Sequence, residues 1–316
     1  MMSNTTKNHS KVPPGTVISG KWLKNKYKII KMLGAGANGI VYLADHQGQL
    51  VAIKISDDYG SIASEMNVLK SFSKVQGSSL GPYLFHGDDW ERKDACLPFY
   101  VMEYIQGDDL LTFIKKKGDD WVGILLLQLL ANLEHLHKQG WIFGDLKPEN
   151  LIVMSTTHSI RCIDVGGTTM IGRAVKEFTE FFDRGYWGLG SRKAEPSYDL
   201  FAVAMIGINI YYPNRFSKQS DTRKQLLQIV ENERGLDLYK VIIRKALLGE
   251  YNSAKEMRGE LLLVMQSKNN SQTSRQTAVK KRRSVKKKHS GFAETFVILL
   301  IVSCIYGLYI YSQLVG

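Results

Sequence analysis

Residues 141–150 carry the sequence Trp-Ile-Phe-Gly-Asp-Leu-Lys-Pro-Glu-Asn, which is more informative about the fold than any other stretch of the chain. They lie in the turn after a leucine-rich segment of helical period. In this turn Asp145 can accept a hydroxyl proton, Lys147 can neutralise a phosphoryl group in transfer, and Asn150 can hold a metal ion. Five of the six positions from Asp145 to Asn150, all except Leu146, carry residues of this motif, which chance rarely produces.

A second acidic motif, Asp164-Val165-Gly166, follows Asp145 after nineteen residues. An isolated Asp-x-Gly is usually only a turn. Here an apolar run at 160–163 precedes it, and the gap from Asp145 is the size of a β-hairpin. Because carboxylate oxygens suit Mg²⁺, Asp164 is a candidate metal ligand.

Upstream, the glycine-rich run Gly34-Ala35-Gly36-Ala37-Asn38-Gly39 separates two β-like segments. Glycines let backbone N–H groups approach a phosphate chain, although an ordinary glycine-rich hairpin has the same composition. The run does not match a dinucleotide fingerprint, which requires a helix to follow and an acid about 20 residues later.

A lysine closes the apolar run Val51-Ala52-Ile53-Lys54. It is either an edge-strand lysine or a phosphate clamp that a carboxylate orients. Glu65 is the natural partner, because it lies on the helical pattern 61–73 and no other Glu occurs between Lys54 and Glu91.

The four motifs, in this order, resemble those of the eukaryotic-type (Hanks-type) protein kinases, in the form found in bacteria. Lys147, two residues after Asp145, resembles the serine/threonine kinases rather than the tyrosine kinases. The resemblance covers about residues 27–265. It implies a bilobal α+β fold, with a five-stranded N-lobe, a helical C-lobe and ATP in the cleft between them. Strand-like segments followed by long helical patterns at 119–139 and 197–211 agree with that class.

The resemblance also implies roles for single residues. Asp145 is the base, with Lys147 beside it, and Asn150 and Asp164 hold Mg²⁺ or Mn²⁺. Asp199 supports the catalytic loop, and Met102 is the gatekeeper before a hinge at 103–105. The expected nucleotide-binding set is Gly34, Ala35, Gly36, Gly39, Val41, Ala52, Lys54, Glu65, Glu103 and Ile105.

Three departures from the family pattern matter. Phe143-Gly144 replaces the usual His-Arg before the catalytic Asp, so no arginine there can bind an activation-loop phosphate. The kinase is therefore either constitutively competent or controlled in another way. Val165 replaces the middle Phe of the metal motif. No Ala-Pro-Glu occurs, and Lys193-Ala194-Glu195-Pro196 leaves the peptide-docking segment in doubt. Thr168, Thr169 and Thr179 are candidate autophosphorylation sites only.

Composition sets the domain limits. The 316 residues are 44% hydrophobic and 23% charged, which excludes a disordered chain, and three cysteines exclude a disulfide scaffold. The net charge of +12 lies mainly in two flanks, since residues 1–31 hold seven Lys and residues 275–289 hold eight Lys and Arg, with no acid in either. We predict a flexible basic arm (1–25), a kinase domain (26–266) and a polar and basic juxtamembrane linker (267–294).

Residues 295–315 contain 21 positions without a charge. A helix of that length spans roughly 30 Å, the thickness of a bilayer core, and tyrosines cluster near its far end. We predict one C-terminal transmembrane helix in the cell membrane. The basic run before it places residues 1–294 in the cytoplasm and the C-terminus outside. A buried helix of a soluble protein is the alternative.

The basic run 280–288 has three interpretations: a topology signal that contacts anionic lipid, a sequence-independent DNA or RNA contact, or a solvated tether. Polyanion binding there could concentrate or dimerise the kinase and activate it. The leading hypothesis is an active, membrane-anchored kinase that phosphorylates protein Ser and Thr. The alternatives are a pseudokinase scaffold and a membrane-tethered polyanion-binding adaptor. The sequence names neither the protein substrates nor the activating signal.

Overall fold

The computed structural model of the protein describes residues 10–36, 38–73, 80–92, 95–268 and 291–315. Within it the chain divides into two units, residues 1–262 and residues 263–316. The basic run 280–288 and most of the predicted linker lie outside the described residues.

The N-lobe is one antiparallel sheet with the strand order β1-β2-β3-β4-β6-β5. In β2, Tyr27 and Ile29 are buried whereas Lys26 and Lys28 are exposed, which is the two-residue period of a strand. The strands are Val17–Ser19 (β1), Lys26–Gly36 (β2), Gly39–His46 (β3), Gln49–Ile55 (β4), Leu84–Arg92 (β5) and Ala95–Glu103 (β6). Helix α1, Tyr59–Ser73, joins β4 to β5.

The start of the chain corrects two predictions. The sheet has six strands rather than five, and residues 10–25 are not a flexible arm. Ile18 of β1 is fully buried. The buried Tyr42 hydroxyl accepts a hydrogen bond from the Val12 N–H at 2.9 Å and donates one to the Ser10 carbonyl at 2.8 Å. Average polarity conceals these few buried anchors, which is why the composition alone misleads.

The C-lobe is built around two long helices that the sequence predicts. Helix α3 buries a leucine stripe, and α4 is buried on nearly every side from Tyr198 to Asn209, as a helix that is apolar all round should be. The helices are Leu110–Lys117 (α2), Asp120–Lys138 (α3), Pro196–Tyr211 (α4), Thr222–Asn232 (α5), Lys240–Leu247 (α6) and residues 254–268 (α7).

Five short strands place the loops of the site: Gly107–Asp109 (β7), Trp141–Ile142 (β8), Leu151–Met154 (β9), Ile160–Cys162 (β10) and Thr169–Met170 (β11). The order β10-β9-β7 forms one small sheet, and β11 pairs with β8. Residues 143–150 therefore leave β8 beside the segment that leads into β11. The predicted bilobal α+β architecture is confirmed.

In the second unit, Gly291–Val315 forms helix α8, whose side chains are described for residues 295–308, 310 and 311. Its described apolar side chains are exposed. Over the parts of the chain that are described, no helix combines the length and the apolarity needed to cross a membrane.

Candidate active site

Lys54 lies near the end of β4 and faces α1. Its Nζ donates to both carboxylate oxygens of Glu65, at 2.8 and 2.7 Å, and lies 3.8 Å from Asp164 Oδ1. Lys54 is 6% exposed and Glu65 is 3% exposed. The predicted Lys54–Glu65 pair therefore forms, and Lys54 joins residues far apart in the sequence.

Two further donors, which the sequence does not reveal, hold Glu65. The Tyr100 hydroxyl donates to Oε2 at 2.8 Å and the Ser61 hydroxyl donates to Oε1 at 3.2 Å. Burial, followed by the Glu65 charge, raises the pKa of Tyr100 well above its ordinary value, so this phenol remains a donor. Tyr100 stands opposite Lys54 in the β4–β6 pairing, a register that cannot be read from the sequence.

The glycine-rich run is a hairpin in which Gly34 pairs with Val41 and Gly36 with Gly39. A Cβ at Gly34 or Gly36 would meet no atom within 4 Å, so these backbones face open space. Gly39 has φ +135°, and a Cβ there would lie 2.5 Å from the Ile55 carbonyl oxygen. Asn38, at the tip, donates to Glu177 of the segment that follows Asp164.

The hinge begins where β6 ends. The Glu103 carboxylate is occupied, because it accepts from Arg161 Nη2 at 2.8 Å and from the Tyr83 N–H at 3.1 Å. Glu103 can therefore contact an adenine ring mainly through its backbone. Ile105 and the gatekeeper candidate Met102 are buried, as is Ala52, while Val41 is half-buried.

Asp199 of α4 holds the catalytic loop through hydrogen bonds to its backbone. Its carboxylate accepts the N–H groups of Phe143 at 2.8 Å and Gly144 at 3.0 Å, and it also bonds His137 Nε2 at 2.9 Å. The supporting position predicted for Asp199 is therefore the observed one.

The structure also explains Gly144, where the family usually has an arginine. Gly144 has φ +84°, and a Cβ there would lie 2.4 Å from the Gly167 carbonyl oxygen. The backbones of the catalytic loop and of the segment after Asp164 touch at this point, so there is no room for a side chain. Phe143 is fully buried and Val165 is 2% exposed, so both apolar replacements pack in the interior.

Asp145 has both carboxylate oxygens occupied. Oδ2 accepts from Lys147 Nζ at 2.5 Å, and Oδ1 accepts from the Thr179 hydroxyl at 2.8 Å. Lys147 Nζ also donates to the Thr179 hydroxyl at 3.1 Å. Sequence reasoning named Thr179 only as a phosphorylation candidate. It missed this contact because 34 residues separate Thr179 from Asp145.

Asn150 is held next to Asp145 by its side-chain amide, which donates to the Asp145 carbonyl at 3.0 Å. The Asn150 carbonyl accepts from the Ile163 N–H at 3.0 Å, which ties it to the residue before Asp164. The Asp164 carboxylate is half exposed and accepts from the Gly166 N–H at 3.1 Å. Both predicted metal ligands thus border the same cleft.

The segment between Asp164 and α4 is anchored despite its altered motif. Glu195 accepts from the buried Arg184 Nη2 at 2.6 Å, and Pro196 starts α4 at a position that tolerates proline. The structure thus shows an anchored segment here, and its role in peptide docking stays a prediction. Thr168 and Thr169 are buried, so they are not accessible phosphorylation sites in this conformation.

Comparisons with known proteins agree with this geometry. The family described as "Protein kinase domain" matches residues 27–290. The chain is 48% identical to "Serine/threonine-protein kinase YabT" of Bacillus subtilis, with 94% of each chain covered. It is 34% identical over 44% of its length to the serine/threonine-protein kinase RIM15 of Saccharomyces cerevisiae, and it spans 8% of that protein.

Among solved structures, vaccinia related kinase 3 superposes with a TM-score of 0.61 at 17% identity, covering 84% of this chain and 94% of that one. At this identity the likeness supports the fold alone. The matched family implies the use of ATP. The chain therefore belongs to the protein kinase domain family, and it is a serine/threonine protein kinase.

Proposed function

We propose that this kinase transfers the γ-phosphate of ATP to Ser and Thr hydroxyls of proteins, from the inner face of the cell membrane. One observation carries the catalytic part. Lys54 Nζ lies within 2.7 Å of Glu65 and 3.8 Å of Asp164, so groups from both lobes meet at one cleft. A kinase needs this arrangement to hold a nucleotide for phosphoryl transfer.

Asp145 is the proposed base. Its remaining lone pairs can accept the proton of a substrate hydroxyl while Lys147 and Thr179 fix the carboxylate. The Lys147 ammonium also offers positive charge beside the transferred group. These contacts fix the direction of the carboxylate before the substrate arrives, which is how positioning lowers the barrier.

The nucleotide would lie under the glycine-rich hairpin. Gly34, Ala35, Gly36 and Gly39 would offer N–H groups to the phosphates, and Lys54 would bind the α- and β-phosphates. Val41 and Ala52 would cover the adenine ring, and the backbone at Glu103 and Ile105 would form hydrogen bonds with its edge. The open space above Gly34 and Gly36 supports this assignment.

The family also implies a Mg²⁺ or Mn²⁺ ion. The residues present fit one, since an exposed Asp164 carboxylate and the Asn150 amide supply hard oxygen atoms. Among the described residues no cluster of three His, Cys, Asp or Glu could hold a metal alone. This suits an ion that takes its other oxygens from phosphates and water. When bound, the ion would neutralise phosphate charge.

We further propose that residues 295–315 anchor the kinase in the membrane, with residues 1–294 in the cytoplasm and the C-terminus outside. The support is sequence chemistry: 21 uncharged positions follow the basic run 280–288 after six intervening residues. The test is extraction of membranes with alkaline carbonate, which should leave the full chain in the membrane together with a known integral protein. The contradicting result is extraction of the full chain while the integral protein stays behind.

The basic run 280–288 is the proposed regulatory element. Seven of its nine residues are Lys or Arg, and no aromatic residue interleaves with them, so it favours sequence-independent contact with DNA or anionic lipid. Binding many chains to one polyanion would concentrate them or pair them as dimers. A gel shift with DNA should weaken as salt rises, because counterion release drives it.

The direct test of activity is radiolabel transfer from γ-labelled ATP to a generic basic protein by the full chain, with Mg²⁺ or Mn²⁺ and added DNA. Lys54→Met should abolish incorporation, while Lys31→Met, a change at an exposed lysine on β2, should not. No incorporation by the wild type beside a working control kinase would instead favour a pseudokinase scaffold or a polyanion-binding adaptor. The intact Lys54–Glu65 pair argues against those two.

A further inference from the structure

An exposed apolar pair stands on the turn between β1 and β2. Trp22 is 67% exposed and Leu23 is 51% exposed. Single exposed apolar residues are ordinary, but two in succession at the tip of a turn expose a large ring and a branched chain together. Neither residue contributes to the cleft described above.

The turn is built to hold this position. The Asp88 carboxylate of β5 accepts the N–H groups of Trp22 and Leu23, both at 2.9 Å. A Cβ at Gly20 would lie 2.1 Å from that carboxylate, so only glycine allows the approach. The Trp22 indole N–H donates to Asp89 at 2.9 Å. The backbone and one edge of the ring are therefore fixed while the rest of the ring stays exposed.

The sequence on both sides of the pair is rich in lysine. Residues 11–31 contain six lysines and no acid. Lys21 lies 5.0 Å from the Trp22 ring and pairs with Glu91 at 2.8 Å. Lys24, Lys26 and Lys28 are exposed. Three acids of β5 also lie against the turn: Asp88 accepts from its backbone, Asp89 accepts from the indole and Glu91 pairs with Lys21. They offset part of the lysine charge, and the exposed Lys24, Lys26 and Lys28 supply the remaining ammonium groups beside the indole and the leucine.

We propose that the turn 21–26 is a peripheral contact with an anionic lipid surface, distinct from the C-terminal segment. Tryptophan favours the interface between headgroups and acyl chains, and each lysine near an anionic surface adds to the attraction. Nucleic acid is the weaker candidate, because Leu23 gains nothing from a phosphate backbone. The contact would orient the catalytic domain on the membrane, and it does not depend on kinase activity.

The test uses the full chain in nanodiscs of phosphatidylcholine and phosphatidylglycerol with brominated acyl chains, which quench nearby tryptophan fluorescence. The wild type should be quenched. Trp22→Phe should reduce the quenched signal about threefold, because Trp22 is the tryptophan assigned to the interface. Lys24→Gln with Lys26→Gln should reduce it too. The matched pair Lys115→Gln with Lys117→Gln, two exposed lysines on α2, should not.

Equal quenching of wild type and Trp22→Phe would overturn the proposal. So would shielding of Trp22 from aqueous acrylamide by duplex DNA without any lipid quenching, which would assign the turn to nucleic acid. Recovery of the chain with the discs tests the anchor separately. If the chain is not recovered, the same quenching is measured with brominated vesicles of that composition, so a failed anchor and a failed contact remain distinguishable.

Discussion

At the scale of single residues, Gly144 shows how backbone geometry decides an active-site feature. Its φ of +84° is left-handed, and a Cβ at this position would lie only 2.4 Å from the Gly167 carbonyl oxygen, which leaves no room for the arginine usual in the family. The loss of a phosphate-binding arginine is therefore built into the path of the chain. Regulation through that position is closed to this kinase.

Gly144→Ala should lower kcat by about a hundredfold, because the Cβ forces apart the two segments that carry Asp145 and Asp164. Gly140→Ala is the matched control, since Gly140 has φ +82° but open space around its Cβ position. It should cost about 1 kcal/mol of stability and leave kcat unchanged. Steady-state kinetics and thermal unfolding of both variants provide the check. Equal kcat values in the two would refute the steric argument.

Tyr100→Phe tests the donors that hold Glu65. Losing one hydrogen bond to a buried carboxylate should lower kcat/KM for ATP about tenfold, because Glu65 no longer fixes Lys54. The comparison is Tyr42→Phe, which removes a buried hydroxyl from bonds to Ser10 and Val12. That change should reduce the melting temperature without altering KM for ATP. If both variants lose only stability, Tyr100 is structural rather than positioning.

At the scale of elements, the segment from Asp164 to α4 is tied down by its own ion pair. Arg184 and Glu195 both belong to this stretch, and Arg184 also donates to the Ser197 hydroxyl at 2.7 Å. The hydrogen bond from Arg184 lowers the pKa of Glu195, and burial opposes that effect without reversing it. The pair anchors the segment that is expected to dock the peptide substrate, although Ala-Pro-Glu is absent.

Glu195→Gln should therefore lower stability by about 1 kcal/mol at neutral pH, a value that allows for solvent around the carboxylate. A lowered pKa means that the contribution is complete above the ordinary value of 4.5 and is lost as the pH falls through the lower folded value. The melting-temperature gap between wild type and variant should thus shrink below pH 4.5. A melting-temperature gap that widens on acidification would contradict the predicted pH dependence of this ion pair. Glu250→Gln, at an exposed position, serves as control.

Elements with strong periodicity were predictable, and contacts across elements were not. The leucine stripe of α3 and the apolar run of α4 are visible in the sequence, and so is the placement of Asp145 after a helix. Strand β1 was missed because its three residues bury only Ile18. Tyr100 and Thr179 were missed because strand register and a contact over 34 residues bring them to the site.

At the scale of the whole molecule, charge separates catalysis from attachment. A nearly neutral body carries the cleft, while the basic flanks hold fifteen of the 42 Lys and Arg residues. The catalytic residues thus lie in the nearly neutral part of the chain, and contact with anionic surfaces is the proposed role of the basic flanks. Loss of the C-terminal flank, residues 275–289, should therefore change regulation and leave the cleft intact.

Deletion of residues 275–289 from the full chain should abolish any stimulation of activity by DNA or anionic vesicles while basal activity persists. Eight Lys and Arg are lost in the deletion, and with them most of the counterion-release term. Radiolabel incorporation with and without polyanion measures this. A deleted chain that is stimulated as strongly as the wild type would exclude the switch.

In the proposed mechanism, residues distant in the sequence form one cleft in which nucleotide binding and proton acceptance are separate tasks. The most direct measurement compares MgATP affinity and γ-phosphate transfer in the same preparations of wild type and Asp145→Asn. We expect the variant to bind MgATP within about twofold of the wild type and to lose transfer by about a thousandfold or more. A variant that transfers phosphate at the wild-type rate would contradict the claim.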